Sequence, residues 1–148
     1  MTRPVVPSLA AGSRLVLDEA ALREWGKHFG QAAEPPLVVT LSGELGAGKT
    51  TLAQAICEGY GVTDAVTSPT YALVQQYSAP RSAVFHIDLY RLDSVAQLTN
   101  IGWDEVLNGD ALVIVEWPER AAGRLPAHVP IALEYEPGDA ARRILLAG

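Results

Sequence analysis

The sequence predicts a single α/β domain: a mainly parallel central sheet flanked by helices, with antiparallel hairpin strands added to it. Three observations carry that reading. Leu37-Val38-Val39-Thr40-Leu41 is a short, β-branched apolar run, as a strand covered on both faces requires. The glycine-rich stretch Ser42-Gly43-Glu44-Leu45-Gly46-Ala47-Gly48-Lys49-Thr50-Thr51 follows at once, and a helical pattern follows that. Ala111 to Val115 is a second buried-strand run, and the chain closes on two strand-like stretches around a Pro-Gly turn.

Taken in order, Pro4 and Pro7 make the first dozen residues a poorly structured arm. Asp18 then reads as an N-cap, with Leu22, Trp25, Gly26 and Phe29 at helical spacing and an end near Gly30. Pro35-Pro36 closes that segment before the first strand. Lys49 to Glu58 reads as the helix after the glycine loop, with Gly59 and Gly61 as stop signals. Tyr71 to Tyr77 and Ala83 to Leu89 read as a hairpin around the turn-rich Ser78 to Ser82. Ser94 to Leu107 is helical, with an interruption near Gly102, and precedes the strand at Ala111. Ile131 to Tyr135 and Arg142 to Leu146 form the terminal hairpin.

A chain of 148 residues suffices for one core and is short for two ordinary domains, so residues 1–148 are read as one unit. Hydrophobic residues make up 49% and charged residues 19%, with apolar runs too short to cross a membrane, which excludes disordered and membrane classes. The N-terminus carries Arg3 but no continuous apolar segment, so a cytoplasmic location is expected. The single Cys57 cannot form an internal disulfide and reads as a small buried apolar residue. A net charge of −6 repels a phosphate backbone and argues against tight autonomous binding to nucleic acid.

Gly43-x-x-x-x-Gly48-Lys49-Thr50 satisfies the phosphate-loop pattern in full. Its glycines permit positive φ and close backbone approach, so the N–H groups of Gly43, Glu44, Leu45, Gly46, Ala47, Gly48, Lys49, Thr50 and Thr51 can surround a phosphate at a helix N-terminus. Lys49 would reach the β- and γ-oxygens and the Thr50 hydroxyl would ligate Mg²⁺. On average composition a chance match in a chain of this length has a probability of roughly half a per cent. The expectation is therefore a P-loop nucleoside triphosphatase domain with a nucleoside triphosphate and Mg²⁺ as ligands.

Such a loop needs an acidic partner on a neighbouring strand. Glu116 ends the apolar run Ala111 to Val115 and is the better Walker B candidate, because a buried strand delivers its last residue to the ligand-binding edge. Asp88 ends the weaker run from Val84 and shares a strand face with His86 and Tyr90, opposite Phe85, Ile87 and Leu89. His86 is equally explained as a hydrogen-bonded structural histidine, and Arg91 as a solvated surface residue. Thr67-Ser68-Pro69-Thr70-Tyr71 stands where phosphate-loop proteins often place a nucleotide-sensing segment, although Ser-Pro-Thr is also ordinary turn chemistry.

The set of motifs resembles the small bacterial TsaE (YjeE) ATPases of tRNA threonylcarbamoyladenosine formation. GELGAGKTT at 43–51, SPTYALVQQY at 68–77, HIDLYRL at 86–92, IGWDEVL at 101–107 and VEWPER at 115–120 occur in family order over about half the chain. The phosphate loop alone is generic, whereas SPTY, HxDLYR and VEWP together are specific. The resemblance implies phosphate and magnesium roles for Lys49 and Thr50, a second magnesium-associated carboxylate at Glu116, and an activity-bearing acid at Asp88. It also implies that Glu19, at the acidic start of the first helix, approaches the nucleotide, and that Trp117 sits beside it. Where the family has an acidic Pro-Glu-Glu-Leu-like segment this chain reads Asp93 to Leu98, a departure on a partner-facing helix. The implied partners are TsaD and its scaffold TsaB, with tRNA met only through them, and hydrolysis by the chain alone is expected to be slow.

Two other readings stay open at this point. A small-molecule kinase would use the same loop but usually brings an arginine-bearing lid, for which Arg120 and Arg124 are the available residues. A GTPase-like switch would need Asn-Lys-x-Asp and Asp-x-x-Gly stretches, and Asp88-Leu89-Tyr90-Arg91 is not the latter.

Overall fold

The computed structural model describes residues 12–44, 46–64, 66, 73–121 and 123–148. The expected arm before residue 12, Leu45 of the loop and the segment Thr67 to Tyr71 lie outside the described residues, apart from Gly12 at the arm's end.

One sheet of seven strands organises the described residues. In chain order these are β1 Ser13–Asp18, β2 Leu37–Ser42, β3 Val74–Ser78, β4 Ala83–Asp88, β5 Leu112–Glu116, β6 Val129–Glu136 and β7 Asp139–Ala147. Their spatial order is β1-β7-β6-β2-β5-β4-β3. The four inner strands β6, β2, β5 and β4 pair in parallel, while β1 on β7, β7 on β6 and β3 on β4 pair antiparallel. The sheet is therefore mixed, a parallel centre with antiparallel hairpins added as expected, and β1 on β7 is the one antiparallel pairing that was not anticipated. The parallel part is only the core, because the two hairpins and β1 contribute as many pairings as the inner strands do.

Helices cover both faces. On one lie α1 Glu19–Ala32 and α2 Lys49–Tyr60, whose Leu22, Phe29, Leu52 and Ile56 pack onto Val39, Leu41, Ile114, Leu133 and Leu145. On the other lie the short α3 Ala96–Asn100 and α4 Trp103–Asn108, placing Leu98, Trp103 and Leu107 on Val38, Ile87, Val113 and Val115. Gly102, at φ 72°, separates these two helices as expected. Asp18 caps α1 through its Oδ1, which accepts the Ala21 N–H at 2.8 Å.

Two glycines read as stop signals have a different use. Gly30 and Gly59 lie inside α1 and α2, and Gly61, at φ 105°, is the residue that ends α2. A Cβ on Gly30 would stand 2.1 Å from the Ile56 carbonyl oxygen, and one on Gly59 would stand 2.0 Å from that of Lys27. The glycines let two helix backbones touch, and that close crossing sets where the N-termini of α1 and α2 arrive. β1 is a strand that the sequence reading missed. It is an edge strand with Leu15 and Val16 exposed, so its six residues lack the buried alternation that would have marked them.

Candidate functional site

The parallel inner strands end along one edge. Leu41, Glu116 and Asp88 stand side by side there on β2, β5 and β4, so pairing register alone brings the two candidate carboxylates together. His86, Asp88 and Glu116 lie on the sheet face covered by α2, whose first turn begins at the same edge. Asp88 Oδ1 accepts the Tyr90 N–H at 3.0 Å, which orients that carboxylate. Glu116 is almost fully buried, and its Oε2 lies 2.5 Å from Nε2 of the fully buried His86. The polar face expected for β4 is present, with Ile87 and Leu89 buried on the opposite side.

The glycine loop joins β2 to α2. Gly43, Gly46 and Gly48 take φ of 145°, 78° and 102°, which an L side chain seldom adopts. Unlike α1, α2 has no side-chain cap at its start, so its first-turn N–H groups face the loop's concavity without a side-chain acceptor. The Gly43 and Glu44 carbonyls are engaged elsewhere. Lys49 Nζ donates to those of Gly43 at 2.5 Å and Glu44 at 2.9 Å, and Glu44 also accepts the Ala47 N–H at 3.0 Å. With these two acceptors spent on protein donors, the uncapped start of α2 presents donors to whatever enters the loop.

Lys49 is buried, with Nζ 4.3 Å from the centre of the Trp117 ring. Burial lowers its pKa from the usual 10.5, and the negative charges of Glu116, Asp88 and Glu119 oppose that fall in part. Trp117 directly follows Glu116 at φ 59°, a left-handed conformation costing a bulky residue roughly 1–2 kcal/mol. A bond from its N–H to the Leu41 carbonyl at 3.2 Å and the Tyr90 ring 5.0 Å away hold it there.

Two cavities open on the loop. One, of about 330 Å³, is lined by Gly46, Gly48, Lys49, Thr50, Thr51, Asp88, Tyr90, Glu116 and Trp117. The other, of about 690 Å³, lies between the loop, the start of α1 and β7, with Glu19, Ala47, Thr51 and Arg143 in its wall. The described candidate residues thus converge on a continuous surface around the loop. Glu19 reaches it as the exposed first residue of α1, paired with Arg23 at 3.1 Å. Arg124 does not join them: its Nη2 lies 3.9 Å from Asp104 and its carbonyl accepts the Trp103 indole N–H. Arg143 was absent from the sequence reading. It lies 97 residues from the loop carbonyl it reaches, inside a strand pattern that carries no motif.

The fold and this edge define a mixed α/β protein that presents a glycine loop, a lysine and two carboxylates at the carboxyl ends of parallel strands. The model of the family described as "Threonylcarbamoyl adenosine biosynthesis protein TsaE" matches residues 16–144. A Haemophilus influenzae protein named tRNA threonylcarbamoyladenosine biosynthesis protein TsaE is 36% identical over 140 residues, covering 90% of this chain and 87% of the relative. A Treponema pallidum protein of the same name is 38% identical over 104 residues, covering 70% and 76%. The crystal structure of Bacillus subtilis YdiB superposes with a TM-score of 0.75 at 28% identity, covering 93% of this chain and 86% of that one. The chain belongs to the TsaE family.

Proposed function

We propose that this chain is a P-loop ATPase that binds Mg-ATP and hydrolyses it slowly, as an accessory protein of threonylcarbamoyladenosine formation in tRNA, acting with TsaD and TsaB. The observation that carries the nucleotide reading is the uncapped start of α2 behind a loop whose Gly43 and Glu44 carbonyls accept from Lys49. The family and the names of its relatives support the pathway.

The triphosphate lies in the loop, with the N–H of the Lys49 ammonium that is not given to the Gly43 and Glu44 carbonyls directed to phosphate oxygens. The nucleoside takes the larger cavity beside Glu19, and the γ-phosphate points toward Asp88 and Glu116. Among the described residues no three His, Cys, Asp or Glu side chains gather to hold a metal by themselves. The Thr50 hydroxyl and the Glu116 carboxylate, which line one cavity, are hard oxygen donors that would hold a magnesium ion together with phosphate oxygens. When bound, such an ion would supply charge neutralisation on the polyphosphate. His86 holds one Glu116 oxygen, leaving the other for the magnesium shell. Asp88, held by the Tyr90 N–H, is placed to orient the attacking water. Trp117 and Tyr90 wall the site against solvent. The net charge of −6 agrees with contact to tRNA through partners only, and no helix among the described residues is long and apolar enough to cross a membrane. The protein is expected to work in the cytoplasm.

Mg-ATP hydrolysis is measured with the protein alone, then with TsaB and TsaD from the same source, then with tRNA added. Stimulation that requires the partners and disappears in Lys49→Ala is the expected result, and Glu116→Ala should impair magnesium-dependent turnover while remaining folded. ATP binding with a rate indifferent to partners but responsive to an added metabolite would move the assignment to a small-molecule kinase.

A further inference from the structure

The phosphate loop is held from outside by a side chain of the terminal hairpin. Arg143 follows the alternation of Ala147 and Leu145 along the α1/α2 face of β7, and in the sheet register it stands beside Tyr135 of β6. Its Nε donates to the Ala47 carbonyl at 3.1 Å and its Nη2 to that of Gly46 at 3.3 Å. Its Nη1 donates to the carbonyls of Ala140 at 2.7 Å and Arg142 at 2.9 Å. The guanidinium lies 4.2 Å from the centre of the Tyr135 ring. A Cβ on Gly46 would come within 2.9 Å of the Tyr135 hydroxyl, so the ring also bears on the loop itself.

We propose that Arg143 is the positioning residue of the phosphate loop, fixing the Gly46 and Ala47 carbonyls outward and so turning the Gly48 N–H toward the polyphosphate of the bound nucleotide. The inference rests on the nucleotide reading above and extends it to the residue that shapes the loop. Four of the five guanidinium N–H donors go to main-chain carbonyls, so Arg143 is built in as a brace and is not an arginine aimed at the γ-phosphate. Together with Lys49 on Gly43 and Glu44, and the Leu52 N–H on Gly48 at 2.9 Å, it accounts for the carbonyl of every described loop residue from Gly43 to Gly48. In the Ala47–Gly48 peptide the carbonyl is tied outward, so the Gly48 N–H faces the other way, which is the arrangement an anion needs, while the Ala47 N–H is given to the Glu44 carbonyl within the loop. A lysine at this position would keep the charge but lose the planar fork that spans two successive carbonyls.

The test compares wild type, Arg143→Lys and Arg143→Met by calorimetric titration with Mg-ATP and with inorganic tripolyphosphate in magnesium, alongside thermal melting. Arg142→Met serves as control, since Arg142 is exposed on the same strand and pairs with Asp139. Both Arg143 variants are expected to bind both ligands about tenfold more weakly, by the same factor for each ligand, at a melting temperature close to wild type. The control should bind as wild type does. Wild-type affinity in Arg143→Lys would show that charge suffices and overturn the proposal. A loss confined to Mg-ATP would overturn it in favour of a nucleoside contact. Should Arg143→Met not fold, Arg143→Lys decides alone. Failure of the wild-type protein to bind either ligand would instead remove the nucleotide reading itself, and the proposal with it.

Discussion

Replacing Gly30 by alanine sets two calculable effects against each other. Helix propensity favours the change, because alanine in a helix interior is better than glycine by about 1 kcal/mol. Packing opposes it. The new Cβ would stand 2.1 Å from the Ile56 carbonyl oxygen and 2.8 Å from the Tyr60 nitrogen, and both obstacles are helix backbone that cannot rotate away. Bringing the nearer contact to an ordinary 3.4 Å requires α1 and α2 to part by about 1.3 Å. A gap of about 0.5–1 Å already forfeits a quarter to a half of a dispersion contact, and a large buried side chain makes roughly 50 of them at ~0.1–0.2 kcal/mol each. Trp25, Phe29, Leu52, Ile56 and Tyr60 are all buried along this crossing. The loss is thus at least about 3–5 kcal/mol, and the net destabilisation about 2–4 kcal/mol, a large share of a small domain's stability. Calorimetric unfolding should show a melting temperature lower by about 6–12 °C. Gln31→Ala, exposed on the same helix, should change stability by no more than about 0.5 kcal/mol. A Gly30→Ala protein melting at or above wild type would refute the close-crossing argument.

Other expectations follow from the same geometry. Burial pushes the Cys57 thiol up to about 12, so at pH 8 only ~10⁻⁴ of it is thiolate; maleimide should label the native protein very slowly and the unfolded chain quickly, and prompt native labelling would contradict its placement. Lys49 is lowered from 10.5, so between its folded value and 10.5 the unfolded chain binds more protons and the Lys49 contribution to stability rises with pH. Lys49→Met should abolish that slope, and nucleotide affinity should fall over the same window as the ammonium is lost. Removing one partner of the His86–Glu116 contact leaves a buried polar group unmatched, whereas two apolar replacements leave none. A double-mutant cycle with His86→Leu and Glu116→Leu should therefore give a coupling of about 1–3 kcal/mol, and additive effects would remove the contact from consideration.

The elements legible in the sequence are those whose signal fits in a short window. The β2 run, the glycine loop and the α2 pattern are contiguous, so strand, loop and helix could be read together from residues 37–60. β5 ending in Glu116 and β4 ending in Asp88 were legible because a buried strand is a local apolar run, and its last residue falls at the sheet edge. Tertiary structure alone decided which strands are neighbours, and so that half the pairings are antiparallel and that Asp88 lies beside Glu116. It also decided that Gly30 and Gly59 serve a helix crossing, a use that local sequence cannot separate from a helix stop because both need only a missing Cβ. Arg143 is the extreme case. An arginine in a strand is ordinary until the chain brings residues 46 and 143 together, and a hydrogen bond between them leaves no periodicity for either segment to display.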